Sequence, residues 1–174
     1  MGKTLLLTGR PGVGKTTVIK KVIAVLGDQA GGFYTEEIRG PDGHRAGFRL
    51  VALGGGEAVM AHVDLRGEGR PRVGRYGVDT TAIKRVGVEA LRRAMEADRV
   101  VIVDEIGKME LLCESFKEAI NAAIDGQTTV LATAMIASHP WVDELKSRQH
   151  VETWQVTVGN RDRMAESALR HLNR

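Results

Sequence analysis

An eight-residue segment near the start of this 174-residue chain limits its possible folds more than any other feature. Residues 9–16 read Gly-Arg-Pro-Gly-Val-Gly-Lys-Thr and match the pattern G-x-x-x-x-G-K-S/T without a mismatch. The apolar run Leu5–Thr8 precedes the segment and predicts a buried strand. Apolar residues at helical spacing follow it and predict a helix over 16–26 that ends at Gly27. A glycine-rich loop between a strand and a helix is the context in which this pattern binds phosphate.

The residue types in this loop suit a nucleotide. Glycines let successive backbone N–H groups point inward at a phosphate, and the start of the helix adds its positive end. Lys15 is predicted to reach the β- and γ-phosphates, and Thr16 to offer a hydroxyl to Mg²⁺. The alternative is a chance glycine-rich turn, which the flanking strand and helix disfavour. The predicted nucleotide-binding residues of the loop are Gly9, Arg10, Pro11, Gly12, Val13, Gly14, Lys15, Thr16 and Thr17.

A second candidate segment is an aliphatic run, Val100–Val103, that ends in Asp104 and Glu105. Such an all-apolar strand is typical of a parallel sheet that is covered on both faces. Asp104 is predicted to join Thr16 around Mg²⁺. Glu105 is predicted to act as the base that activates a water for attack on the γ-phosphate. On its own this segment would suggest a solvated acidic turn, but together with the loop at 9–16 it indicates a catalytic site.

Two residues after Glu105, Lys108 and Glu110, are also charged, and the first of them has two possible roles. Gly107 allows the chain to turn back toward the phosphates, so Lys108 is a candidate for stabilising charge on the transferring phosphoryl oxygens. An ordinary surface lysine is an equally good interpretation. Glu110 is predicted to cap a helix over 110–124, whose apolar stripe would include Leu112.

The rest of the chain predicts the fold class. Residues 31–80 hold 12 of the 21 glycines, with strands at 33–39, 46–53 and 57–62 in an antiparallel meander, followed by a mobile loop. Beyond them, helices from residue 80 and at 140–146 and 162–172 alternate with strands at 129–134 and 151–158. This order predicts a single α/β domain over 1–174, with a doubly wound, mainly parallel sheet of the P-loop NTPase type and an antiparallel β insertion at 31–80.

Five segments, taken together and in this order, are typical of one protein family: Gly9–Thr17, Gly32–Glu37, Val73–Asp79, Asp104–Leu111 and Asn160–Asp162. The set resembles the cancer-related nucleoside-triphosphatase family, which is also known from thermophilic bacteria and archaea. The resemblance covers nearly the whole chain and implies slow Mg²⁺-dependent hydrolysis of ATP, GTP, CTP and UTP to the diphosphate and phosphate. It also implies that a second nucleotide-binding stretch comprises Val100, Val101, Ile102, Val103, Asp104, Glu105, Ile106 and Gly107.

Four charged residues in these segments and the nearby loop have no role that spacing can assign. Glu36 and Glu37 lie on opposite faces of a predicted strand that begins at Phe33, itself expected in the core. Arg72 and Arg75 flank a glycine-rich loop and fit either a lid or solvated loop arginines, of which the second is the more common.

The segment after the last predicted strand is the candidate for base recognition. Guanine-specific P-loop proteins carry Asn-Lys-x-Asp there, whereas here Asp162 follows Asn160 by two residues. The bidentate contact to guanine is therefore expected to be absent, and Arg161 is predicted to stack on any base. Asn160 also fits a helix N-cap, and both roles are compatible.

Composition excludes several other functions. The net charge of +3 fits a solvated surface, and aromatic residues make up only 4% of the chain, so we expect no nucleic-acid partner. No apolar run approaches the ~20 residues of a membrane-spanning helix. The single cysteine, Cys113, excludes an internal disulfide, and we expect a monomer in a reducing cytoplasm.

Two further function classes stay open at this stage. A nucleotide or small-molecule kinase would use the same loop with an acceptor other than water, and the arginines between 66 and 75 resemble an acceptor lid. Glu105 beside Asp104 favours water as the acceptor. A regulatory switch linked to nucleic acid is the third class, but neither a basic stripe nor an appended domain supports it.

Overall fold

The computed structural model describes residues 2–173, in which strands and helices alternate except for the five consecutive strands between α1 and α2. The strands are β1 (Thr4–Thr8), β2 (Ala30–Arg39), β3 (Arg45–Ala52), β4 (Glu57–His62), β5 (Arg72–Val73), β6 (Tyr76–Val78), β7 (Val100–Ile106), β8 (Val130–Ala134) and β9 (Val151–Gln155). The helices are α1 (Lys15–Leu26), α2 (Thr80–Ala82), α3 (Glu89–Glu96), α4 (Glu114–Asp125), α5 (Pro140–Ser147) and α6 (Arg161–Leu172). A π-helical stretch, Ile83–Val88, joins α2 to α3.

All nine strands belong to one sheet in the order β5-β6-β4-β3-β2-β7-β8-β1-β9. The five strands from β2 to β9 in this order are parallel, and the four from β5 to β3 extend the sheet with antiparallel pairs. The P-loop-type fold predicted from the sequence, with its antiparallel insertion, is therefore confirmed. Among residues 2–173, no helix has both the length and the apolar content needed to span a membrane.

Helices cover the parallel strands on both faces. Leu5 and Leu7 of β1 pack with α1 and α6, whereas Leu6 packs on the opposite face with α3, α4 and α5. Successive residues of a strand point to opposite faces, so three consecutive leucines supply both halves of the core. Phe33 is buried and lies 6.2 Å from the ring of Phe116, which confirms its predicted place in the core.

Strand β2 belongs to both parts of the sheet. Its first residues, Ala30–Phe33, pair in parallel with β7, and its later residues pair antiparallel with β3. The insertion is therefore a continuation of the main sheet. Part of the predicted mobile loop is also ordered, because β5 and β6 form a hairpin whose turn uses Gly74 at a φ of 57°.

The predicted helix over 110–124 is wrong in its first turn. Glu110–Leu112 forms a short 3₁₀ turn, Cys113 is extended, and α4 begins only at Glu114. Leu112 is 44% exposed and does not belong to the core. The predicted last strand also ends three residues early, at Gln155, and Val158 beyond it is exposed.

We expect Gly32→Ala to destabilise the fold more than Gly54→Ala. Both glycines have a positive φ, 101° and 92°, and alanine in such a conformation costs about 1–2 kcal/mol. Only at Gly32 would a Cβ also meet a backbone atom, 2.1 Å away at the carbonyl oxygen of Ile102. Urea unfolding should show at least about 1 kcal/mol more loss for Gly32→Ala. Equal losses would contradict the close approach of β2 to β7.

Candidate active site

The loop between β1 and α1 has the geometry of a phosphate cradle. Gly12 and Gly14 adopt positive φ values of 78° and 113°, and Gly14 is the N-cap of α1. The first turn of α1 therefore opens onto the loop, with N–H groups that lack partners within the helix. Lys15 is only 8% exposed, and its Nζ donates to the carbonyl oxygens of Gly9 at 2.9 Å and Arg10 at 3.4 Å.

Asp104 is the most buried charged residue of the site, with 1% exposure. Its Oδ2 accepts a hydrogen bond from Thr16 Oγ1 at 2.8 Å, and its Oδ1 accepts one from Thr133 Oγ1 at 2.6 Å. The backbone N–H of Thr35 also points at Oδ2, at 3.5 Å. The carboxylate thus connects α1, β2, β7 and β8 at the carboxyl edge of the parallel strands.

The donor pair of Thr16 and Asp104 fits Mg²⁺, which prefers oxygen ligands. The hydroxyl and the carboxylate oxygen lie in hydrogen-bond contact directly beside the phosphate loop. Residues 2–173 contain no cluster of three or more histidine, cysteine or acidic side chains that could hold a metal by themselves. The remaining ligands would therefore have to come from phosphate oxygens and water, as is usual for Mg²⁺.

Glu105 faces the same cleft as Lys15. Its side chain is 34% exposed, and an oxygen lies 3.7 Å from Lys15 Nζ. Burial raises the pKa of Glu105 above its ordinary value of 4.5, Lys15 opposes this rise, and the charge of Asp104 adds to it. The peptide bond between Asp104 and Glu105 is cis. A carboxylate of raised basicity thus lies beside the phosphate loop.

Glu110 does not cap a helix, which corrects the sequence prediction. The chain turns at 110–112 before α4 begins, so the side chain enters the cleft and is only 4% exposed. Burial raises the pKa of Glu110 to about 8, and Glu105 and Asp104 add to this rise. A Cβ on Gly107 would lie 3.1 Å from an oxygen of Glu105 and 3.1 Å from an oxygen of Glu110. Glycine at this position therefore leaves room for both acids.

Lys108 lies at the rim of the same cleft, and its side chain is exposed. This placement is compatible with both interpretations left open by the sequence. Its catalytic role stays a prediction.

Glu36 and Glu37 also line the cleft, and each is held by basic neighbours. Glu36 accepts a hydrogen bond from Lys20 at 2.9 Å, which lowers the pKa of Glu36. Glu37 pairs with Arg39 and Arg45. The Lys20–Glu36 pair joins α1 to β2, whereas the pairs of Glu37 lie within β2 and β3.

Arg72 and Arg75 are bound within the antiparallel extension. Arg72 donates to the carbonyl oxygen of Arg75 at 2.6 Å, and Arg75 donates to that of Arg45. Their guanidinium groups therefore hold the β5–β6 hairpin in place.

Asn160 and Arg161 lie on the other side of the phosphate loop and do not line this cleft. Asn160 occupies the N-cap of α6 without capping it; its amide accepts from Thr157 N at 2.8 Å and donates to the carbonyl oxygen of Gln155 at 2.9 Å. Arg161 donates to the carbonyl oxygen of Val13 at 3.3 Å. The guanidinium therefore lies against the phosphate loop, and its contact with a base stays a prediction.

Thr133, Thr35 and Lys20 are residues of the site that the sequence did not indicate. Thr133 is a polar residue at the carboxyl end of an apolar strand, and it is fully buried. Its position could have indicated a site residue, because polar residues at this edge of parallel strands often contact the ligand. The contacts of Thr35 and Lys20 depend on the path of β2, which no local pattern specifies.

The fold and the loop define a P-loop nucleotide-binding protein. A model of the NTPase family matches residues 4–169. Nucleoside-triphosphatase THEP1 of Thermotoga petrophila is 44% identical over 95% of this chain and 90% of its own length. The chain belongs to this NTPase family, as the sequence resemblance implied. The predicted enzyme class, a nucleoside-triphosphatase, is confirmed as well.

Two solved structures resemble the chain over nearly their whole length. The crystal structure of THEP1 from Aquifex aeolicus superposes with a TM-score of 0.89, at 34% identity, and covers 98% of this chain and 99% of its own. The solution structure of a human cancer-related nucleoside triphosphatase gives a TM-score of 0.83, at 35% identity, with 98% and 97% coverage. The fold is therefore shared across distant members of the family.

We expect Thr133→Val to lower the free energy of unfolding by about 1–3 kcal/mol, because it leaves a buried carboxylate oxygen without its donor. Thr4→Val is the matched control, since the buried Thr4 Oγ1 has no hydrogen-bond partner within residues 2–173. That change should be neutral or stabilising. Urea denaturation compares the two, and a loss at Thr133 no larger than at Thr4 would exclude a stabilising bond to Asp104.

Glu110 should make stability depend on pH. Its pKa is about 8 in the folded chain against an ordinary 4.5, so the folded state keeps a proton that the unfolded state loses. The protonated carboxyl of Glu110 contributes its full share to the free energy of unfolding at pH values below the ordinary pKa of 4.5. The contribution falls by up to about 1.4 kcal/mol per pH unit as the pH rises toward the higher value.

Glu110→Gln cannot ionise and should lose this dependence. The stability of the variant relative to wild type should therefore increase with pH in urea unfolding between about pH 5 and pH 8. A constant difference across that range would show that Glu110 titrates normally.

Proposed function

We propose that the chain catalyses Mg²⁺-dependent hydrolysis of nucleoside 5′-triphosphates to the diphosphate and phosphate, with broad tolerance for the base. The observation that carries this proposal is the placement of Glu105. It follows an aspartate that is hydrogen-bonded to Thr16, and its carboxylate lies 3.7 Å from Lys15 in the same cleft. The names of the relatives support hydrolysis.

The phosphate loop binds and orients the triphosphate. The N–H groups at the start of α1 point at the β-phosphate, and Lys15 exchanges its loop carbonyls for phosphate oxygens. Thr16 and Asp104 would hold Mg²⁺ through their oxygens, and the ion would supply positive charge next to the phosphate oxygens. Thr133 keeps the carboxylate of Asp104 in the orientation that presents Oδ2 to the loop.

Glu105 holds the attacking water and takes its proton. Its carboxylate belongs to the cleft wall and follows the proposed metal ligand directly in the chain. A carboxylate in that position orients the water toward the γ-phosphorus, and its partial burial makes it a stronger base. Lys108 at the rim approaches the transferring phosphoryl oxygens and stabilises their charge.

Base tolerance follows from the groups near the other end of the triphosphate. The amide of Asn160 is bound to backbone atoms of its own loop, which leaves it few free positions for reading a base edge. Arg161 presents a planar cation that can stack on any base. A site that reads no base hydrogen bonds discriminates weakly among bases.

Hydrolysis is a better account than the kinase alternative, because the relatives are named as nucleoside-triphosphatases. The cytoplasmic location and the monomeric state remain predictions of the sequence.

We expect Glu105→Gln to retain nucleotide binding and to lower kcat at least ~100-fold, because the amide cannot accept the proton of the water. Glu166→Gln on the exposed surface of α6 is the control for a carboxylate-to-amide change. Phosphate release measures turnover, and equilibrium titration with a fluorescent nucleotide measures binding. Turnover of the Glu105→Gln variant near the wild-type rate would show that Glu105 is not the base.

The values of kcat/KM for ATP, GTP, CTP and UTP should agree within about tenfold, since stacking is insensitive to the base. Arg161→Ala should raise KM for all four by a similar factor, whereas Arg170→Ala at the far end of α6 should change none of them. Free phosphate is the readout, with Mg²⁺ present. A preference for one base above about a thousandfold would indicate specific hydrogen bonds to it.

A further inference from the structure

The cleft extends from the phosphate loop as far as Phe48, Met60 and Val73. Its volume is about 750 Å³, and it begins at the phosphate loop. Small-molecule sites fall in the range of about 300–1,000 Å³. In the proposed function the nucleoside lies near Asn160 and Arg161, which do not line this cleft.

The order of the strands shows which way the cleft extends. The segment with Asn160 and Arg161 follows β9, at one edge of the sheet and next to β1 and its phosphate loop. The cleft instead continues over β7 and β2 onto β3, β4 and β5, in the opposite direction. Its far part therefore lies beyond Glu105, on the side of the γ-phosphate that faces away from the base.

The walls of this far part, here called the γ-side chamber, are mainly apolar. Phe48 supplies an aromatic ring that also contacts Tyr76 and the guanidinium of Arg45. Flexible thioether side chains from three separate parts of the chain line the same chamber. The residues of the chamber wall are Phe48, Met60, Val73, Met109, Met135 and Ile136. An aromatic ring with several methionines makes an adaptable surface for a flat ring.

Two carboxylates at the chamber rim, both from β2, are already paired. Glu36 is bound by Lys20 and Arg49, and Glu37 by Arg39 and Arg45. A charged ligand would have to disrupt these pairs, whereas the carboxylate oxygens can still accept hydrogen bonds from hydroxyl or amino groups. The β2 side of the rim therefore fits an uncharged ligand with polar substituents.

We propose that the γ-side chamber binds a second substrate-sized molecule, an uncharged heteroaromatic ring that carries hydroxyl groups, next to the γ-phosphate of the bound nucleotide. The ring packs on Phe48 and the methionines, and its hydroxyl groups face Glu36, Glu37 and Glu105. An occupied chamber takes the place of water beside Glu105, so the occupant controls the rate of hydrolysis. This inference rests on the proposed function for the position of the γ-phosphate.

The test uses three neutral probes of increasing size, pyridoxine, uridine and adenosine, with ribose as the control that lacks a ring. Saturation-transfer NMR measures their binding to the full chain with Mg²⁺ and a saturating non-hydrolysable ATP analogue, which blocks the nucleotide site. At least one ring probe should bind more tightly than ribose. The same probe should reduce phosphate release from ATP without competing with ATP.

Two variants locate the site. Phe48→Ala should weaken binding of the ring probe at least ~5-fold, the lower end of the effect of losing a stacking partner. Ile136→Ser, at a position that is 49% exposed, changes the chamber wall with little risk to folding. Val25→Ser on the exposed face of α1 is the control. All three variants should keep the basal hydrolysis of ATP.

The outcomes separate this proposal from the proposed function. A phosphorylated probe among the products would support the chamber, since its hydroxyl would then lie within reach of the γ-phosphorus. Displacement of every ring probe by the ATP analogue, or equal binding of ribose, would overturn it. Unchanged binding in both Phe48→Ala and Ile136→Ser would overturn it as well. If the wild-type chain does not hydrolyse ATP, only the proposed function is contradicted, because probe binding is measured independently.

Discussion

The carboxylate of Asp104 connects the elements on which the site depends. It lies at the end of a strand that is buried on both faces, and it accepts hydrogen bonds from Thr16 and Thr133. A buried carboxylate without donors would cost several kcal/mol, so both hydroxyls are needed for its presence there. Because Thr16 lies in the first turn of α1 and Thr133 near the end of β8, the same contacts set the phosphate loop against the central strands. Glu105 is then placed in the cleft by the next residue of the chain.

The antiparallel extension of the sheet forms the part of the cleft that lies beyond Glu105. β2 pairs with β7 through its first residues and then with β3, so the sheet continues past the catalytic edge without a break. The ion pair of Glu36 with Lys20 holds β2 to α1, and Glu37 pairs with Arg45 of β3 on the same wall of the cleft. A site for a triphosphate and a chamber beside it thus share one surface of the sheet.

Local patterns predicted the parts of the site that depend on neighbours in the chain. The loop at 9–16 and the pair Asp104-Glu105 follow from residue types at fixed spacing, and both occupy the expected edge of the sheet. Glu110 was misassigned because a carboxylate ahead of a helix usually caps it, whereas the extended Cys113 delays the helix to Glu114. The bond between Thr133 and Asp104 joins residues far apart in the chain, and only the parallel pairing of β7 with β8 brings them together.

The central claim is that a water held by Glu105 attacks the γ-phosphorus of a triphosphate bound in the phosphate loop. Hydrolysis of ATP in water enriched in ¹⁸O, followed by mass spectrometry of both products, tests this claim most directly. We expect one solvent oxygen in the released phosphate and none in ADP. Solvent label in the nucleoside diphosphate, or label in neither product, would contradict it.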